Sequence, residues 1–275
     1  MKTNFKFFTV AIAAIMTIGS VTLVSCDKNE NETIVGHEQY SATKGVFNPA
    51  NPANPYDYMG VDHNYYIDKC MPDVYSYIMN YGDIDVSQAI TISNQILAQN
   101  GFDTNGIRTI AMKIETSADS NFMPFIMSSF PNQKIRNCIS KLVSDILQMA
   151  QDENYDYEDI HKFILARETK YATSGEYSNE ELGYIYPVTS VMRHSMYYWY
   201  NNGFGPVNPK KASVWKWLGR IAVVATCDAL GSVGGTATAV AASVGSYQMA
   251  KDMFPDDKPN QPTDTTSNGN NNGGN

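Results

Sequence analysis

Pro131-Asn132-Gln133-Lys134-Ile135-Arg136-Asn137-Cys138-Ile139-Ser140-Lys141-Leu142-Val143-Ser144-Asp145-Ile146-Leu147-Gln148-Met149-Ala150 is the stretch from which the fold is read. Ile135, Ile139, Leu142, Val143, Ile146 and Ala150 recur every three or four residues, along one side of a helix that Pro131 opens. The same period recurs on both sides. Toward the N-terminus, Val86, Ala89, Ile90, Ile96 and Leu97 line a helix over 86–99, capped by Asp85 and closed by Gly101. Ile107, Ile110, Ala111 and Ile114 add a shorter stripe, and Asp57 to Tyr81 has helical composition interrupted at Pro72. Toward the C-terminus, Asp156 caps a helix carrying Ile160, Phe163, Ile164, Arg167 and Tyr171. Ser178-Asn179-Glu180-Glu181 then forms a capping box leading toward Trp199, with a break or kink at Pro187. No stretch keeps the period of a strand, and no Asn-Gly or Asp-Gly turn joins apolar runs. The expectation is an all-α, multi-helix bundle.

A second stretch is unusual in another way. Ile221 to Ala250 carries a single charge, Asp228, among Ala, Gly, Val, Ser and Thr. Its length would cross a bilayer, but its side chains are small rather than greasy, and Asp228 inside a span costs several kcal/mol. Gly231 and Gly235, with Gly234 beside them, let two helices approach closely. The expectation is a small-residue-rich helical hairpin over 213–254, turned near Ser232 to Gly235. The other reading is a membrane-active hairpin, similar to the glycine-rich segments of bacteriocin-like peptides.

The chain has 275 residues and a net charge of -8. It contains no basic cluster interleaved with aromatics, so nucleic acid is excluded as the main partner. Eighteen Tyr and 13 Met suit either helix packing or a contact surface for a protein partner.

Residues 1–25 carry a basic start, Lys2 and Lys6, then an apolar run from Phe7 to Val24, as a secretory signal peptide does. Leu23-Val24-Ser25-Cys26 resembles the lipobox of bacterial lipoproteins, which implies cleavage before Cys26 and acylation of its thiol. The resemblance implies a lipid anchor in the envelope of a Gram-negative bacterium, at the outer membrane. The acidic stretch Asp27-Lys28-Asn29-Glu30-Asn31-Glu32 resembles the export signal of surface-exposed lipoproteins. Residues 26–56 then read as a flexible tether, 57–254 as the helical domain, and 255–275 as a disordered Pro, Asn, Gly and Thr tail. With Cys26 acylated, Cys70, Cys138 and Cys227 remain. An oxidising envelope would permit one disulfide among them and leave an odd thiol; outside any Cys-x-x-Cys pair they support no zinc or redox motif, and the expectation is buried free thiols.

The densest polar cluster is Gly60-Val61-Asp62-His63-Asn64-Tyr65-Tyr66-Ile67-Asp68. On a helix, His63 and Asn64 share a face, and Asn64 lies one turn from Asp68. The pattern Gly60-x-x-His63-Asn64-x-x-x-Asp68, together with the Gly/Ala-rich helix pair, resembles a group of uncharacterised envelope proteins, which brings no activity with it. One His and one Asp do not make a metal site, and no cofactor motif is present. His161 and His194 sit inside helical patterns as satisfied polar residues. A hydrolytic Ser-His-Asp set built on His63 or His194 ranks last, since triads are recognised by geometry and no nucleophile elbow is present. Asp152, Glu153, Asp156, Glu158 and Asp159 lack calcium-loop spacing and read as a solvated acidic connection. The functional expectation is a lipid-anchored envelope protein with a binding or structural role and no catalysis. A membrane-active or self-associating protein is the alternative.

Overall fold

Apolar residues at helical spacing build helices throughout the computed structural model, which describes residues 48–202 and 214–254, within the compact unit Ala42–Asn275. The expected signal peptide over 1–25, Cys26, the expected tether as far as residue 47, Ser213 and the expected tail from 255 lie outside the described residues. In chain order the helices are α1 (Asp57–Tyr81), α2 (Val86–Gln99), α3 (Ile107–Glu115), α4 (Met123–Ser129), α5 (Gln133–Gln151), α6 (Tyr157–Thr173), α7 (Asn179–Asn202), α8 (Val214–Gly231) and α9 (Thr236–Met253). No strand occurs among the described residues, so the chain is an all-α bundle.

The caps follow the local chemistry. Asp85 accepts from Gln88 N at 2.7 Å, and Asp156 and Asp159 make a reciprocal capping box. Helix α5 starts two residues later than Pro131 suggests, because Asn132 is its cap, accepting from Ile135 N at 2.9 Å. Neither Pro72 nor Pro187 ends its helix. Met59, His63, Ile67, Cys70, Met71 and Val74 are buried on both sides of the exposed Pro72, and that continuous face holds α1 together. Every residue of α7 from Ile185 to Trp199 is buried, so packing around Pro187 replaces the lost backbone bond. Helix α4 has no counterpart in the sequence pattern, since seven residues hold too little of the period to read. It is entered through Phe122, whose backbone is left-handed (φ 61) and whose ring is 1% exposed; the buried ring holds that conformation in place.

The interior is the C-terminal hairpin. Helices α8 and α9 pack on each other; α9 also lies against α1, α2 and α3, α8 against α5 and α7, and α1 runs along α7. Residues 221–232 and 237–247 are buried. The three glycines are placed by different demands. A Cβ on Gly231 would stand 2.8 Å from Ala239 Cα and 2.9 Å from Thr238 O, so the two backbones meet there. Gly235 turns the hairpin with φ 89, a conformation that costs other residues strain. Gly234, exposed in the turn, would meet Thr238 Oγ1 at 2.7 Å. No helix among the described residues is long and apolar enough to cross a membrane.

Cys70, Cys138 and Cys227 are free and buried. Burial, helped by Asp73, pushes the Cys70 thiol up to about 12.

Candidate functional site

Two polar clusters lie inside the bundle, and α1 and α7 contribute to both. The first is centred on Asp228 of α8, which has no exposure. Its Oδ2 accepts from Ser195 Oγ of α7 and, at 2.8 Å, from Ser243 Oγ of α9. His63 Nε2 of α1 stands 3.3 Å from the same oxygen, at ion-pair distance but outside hydrogen-bond alignment. One carboxylate oxygen therefore ties three other helices to α8. Ser243 Oγ also accepts from Trp199 Nε1 at 3.2 Å. His63 Nδ1 lies 3.0 Å from Asn64 Oδ1, and Asn64 Nδ2 donates to the His194 carbonyl at 2.9 Å. Gly60 completes the motif. A Cβ there would sit 2.3 Å from His194 Cδ2, so only glycine lets the His194 ring lie on α1.

Ser195, His63 and Asp228 are the residue types of a nucleophilic triad, but their geometry differs from one. The hydroxyl donates to the carboxylate and not to the imidazole, and Ser195, His63 and Asp228 are all 0% exposed. The Ser195 proton points at Asp228, so His63 is not placed to take it. Chemically this is an aspartate-centred knot. Glu115 of α3 faces it from another side, 8% exposed, with both oxygens unpartnered and Oε1 close against Gly245. Burial, and then the charge of Asp228, pushes the Glu115 carboxyl well above the usual range.

The second cluster lies beside the chain's entry into α1. Arg193 of α7, 0% exposed, pairs with Asp57 of α1 at 2.7 Å and with Glu168 of α6 at 2.9 Å. His194 Nε2 lies 3.3 Å from the same Asp57 Oδ1. Burial pushes the Asp57 carboxyl up, yet hydrogen bonds and charges from His194 and Arg193 outweigh it and hold it at about 2. Thr189 Oγ1 donates to Glu168 Oε1 at 2.6 Å. Residues 48–56 close this cluster from outside, with Pro49 and Asn54 buried. Residues 48–56 are therefore not the free end of the tether expected to run to residue 56. Its last part is docked because Arg193 and Glu168 bond it directly.

Of the residues singled out from sequence, His63, Asn64 and Asp228 meet in one network, which His194 joins through its carbonyl. Asp68 is half-buried and stands outside it. Gly231, Gly234 and Gly235 shape the hairpin only. His161 is buried, its ring stacked on Tyr157 at 6.1 Å. The acidic run serves local structure. Asp156 and Asp159 cap α6, Asp152 caps its own turn through Asn154 N, and Glu158 pairs with Lys162. No group of three or more His, Cys, Asp or Glu among the described residues is arranged to hold a metal ion. Asp57, Glu168, Arg193, Ser195, Ser243 and Glu115 were not legible as site residues. The clues available were Arg193 as a lone charge amid the Pro187–Trp199 run of α7 and the triplet repeat Asn48-Pro49-Ala50-Asn51-Pro52-Ala53-Asn54-Pro55.

Fold and clusters together define an all-helical domain organised around buried charge. No protein-family model, curated protein or solved structure matches the chain.

Proposed function

We propose that the protein is a lipid-anchored component of a Gram-negative envelope, at the outer membrane, whose helical domain has a binding or structural role and does not catalyse a reaction. The anchor rests on the order of elements in the leader: Lys2 and Lys6, the apolar run to Val24, then Leu23-Val24-Ser25-Cys26. One observation carries the non-catalytic role. The groups best suited to chemistry, His63, Ser195 and Asp228, are sealed from solvent and used to join four helices. An enzyme needs such groups to reach substrate.

The test has two arms. Cells fed a labelled fatty acid should label the protein, and Cys26→Ala should abolish the label and release the protein from the membrane fraction. Surviving label would remove Cys26 as the anchor. In the second arm the purified full chain, added to dye-loaded vesicles, should cause no leakage. Leakage would turn the reading toward a membrane-active hairpin over 221–250.

A further inference from the structure

We propose that residues 48–56 are a strap seated on a carboxamide-reading site built by Glu168 and Arg193, and that mild acid releases it. The repeat Asn48-Pro49-Ala50-Asn51-Pro52-Ala53-Asn54-Pro55 places an asparagine at every third position. Each asparagine folds the chain identically. Asn48 Oδ1 accepts from Ala50 N at 2.9 Å, Asn51 Oδ1 from Ala53 N at 3.2 Å, and Asn54 Oδ1 from Tyr56 N at 2.8 Å. Three successive Asx turns leave the carboxamide N–H groups to look outward from the turn. Two of them reach a single carboxylate: Asn51 Nδ2 donates to Glu168 Oε2 and Asn54 Nδ2 to Glu168 Oε1, both at 2.7 Å. Arg193 donates to the Pro49 carbonyl, and Asn51 N donates to Asp57 Oδ2 at 3.1 Å. Glu168 thus reads side chains while Arg193 reads backbone. The strap has no charge and no helix, and Pro52, Ala53 and Pro55 are exposed. These polar contacts hold its inner side, beside the buried Pro49 and the packing of Tyr56 on Met59 and Val191.

The same cluster contains the acid trigger. His194 shares the Asp57 carboxylate with the strap: its Nε2 faces Oδ1 while Asn51 N takes Oδ2. His194 is faced by Asp57 and His63 from α1 and by Arg193 on its own helix. His161 of α6 is faced by Arg193, His194, Glu168 and Glu158, and its Nε2 is buried without a hydrogen bond. The strap contains no Asp, Glu, His, Lys or Arg. Burial first, opposed by Asp57 at His194 and reinforced by Arg193 at both rings, holds the two imidazoles below the ordinary histidine value. A depressed histidine favours the closed state above its free value near about 6.5 and loses that contribution as pH falls. Asp57 stays ionised throughout this window, so it does not cause the opening. Lifting the strap rehydrates the cluster, and proton uptake then favours the open form. Local opening falls on the strap because it is an irregular segment with Pro52, Ala53 and Pro55 facing solvent. Freed, its nine residues extend the chain's reach by about 30 Å. The vacated site pairs a carboxylate with a guanidinium, and suits a peptide that repeats carboxamide side chains. None of this depends on whether Cys26 carries lipid.

Amide hydrogen exchange on the full chain tests it, with rates corrected for intrinsic pH dependence. Exchange in a peptide covering 48–57 should accelerate about tenfold or more from about pH 7.5 to about pH 5.5, while a peptide from α5 stays protected. Glu168→Gln should open the strap already at the higher pH. His194→Gln keeps a donor toward Asp57 without a titration, and should remove most of the acceleration; His161→Gln should remove part of it. A strap that exchanges equally at both pH values overturns the proposal, as does simultaneous loss of protection in α5. Acceleration that survives in both histidine variants also overturns it, and so does a Glu168→Gln strap as protected as the native one.

Discussion

Asp228 is the clearest case in which one side chain holds several elements. Its Oδ2 accepts two serine hydroxyls and faces His63, with no exposure to water. Asp228→Leu keeps a similar volume but has no oxygen with which to accept. Leaving buried hydroxyls and His63 without their acceptor should cost about 3 kcal/mol. Denaturant unfolding should show this as a lower midpoint at unchanged slope. Asp68→Asn, four residues beyond the network on α1, should stay within about 0.5 kcal/mol and serves as the control. Equal losses from the two variants would mean that Asp228 is not the centre of the network.

Helix α1 continues through Pro72 at a cost that its buried face meets. Pro72 is exposed and cannot donate to the Asp68 carbonyl one turn before. Pro72→Ala should restore that bond and raise stability by about 1 kcal/mol or more, read as a higher thermal midpoint. A fall would show that a bend at Pro72 is needed to keep His63 and Val74 on the same buried side. Pro187 of α7 is buried, so the same exchange there would leave a gap and is not expected to help. In the hairpin, the close approach at Gly231 and the turn at Gly235 set how far α8 and α9 face each other.

Across the whole molecule, pH acts in opposite directions at two places. Glu115 is held above the usual carboxyl range by burial and by Asp228. A raised carboxyl contributes its full stability below its free value, and that contribution is lost as pH rises through the folded value. At neutral pH Glu115 is therefore a weak point where α3 meets α9. Glu115→Gln keeps the shape and removes the titration, so it should raise the thermal midpoint at neutral pH and change it little near pH 4. An equal shift at both ends would place the gain in packing and not in charge. The depressed histidines beside Arg193 act the other way and lose stability as pH falls, which is why the strap and the hairpin should respond to opposite changes in pH.

Period and caps are local properties, and for that reason most helices were legible from the chain alone. Ile135 to Ala150 marks α5, and Asp85 and Asp156 mark their caps, because neighbours along the backbone dictate them. The hairpin was legible from its small residues and glycines. Helix α4 was too short to show a period, and Pro72 and Pro187 misled because burial on both sides outweighs one missing bond. The sites divide along the same line. His63, Asn64 and Asp228 stand out as polar residues in apolar company, which is visible in a row of letters. Their meeting at one oxygen, and the docking of Asn51 and Asn54 on Glu168 more than a hundred positions away, depend on which helices touch. By itself, the sequence determined that this chain is a helical bundle with a small-residue hairpin. Only the tertiary structure decided that the hairpin is the interior and that Asp228, the one charge between Ile221 and Ala250, is a joint, because desolvation and partner geometry exist only once distant segments are packed together.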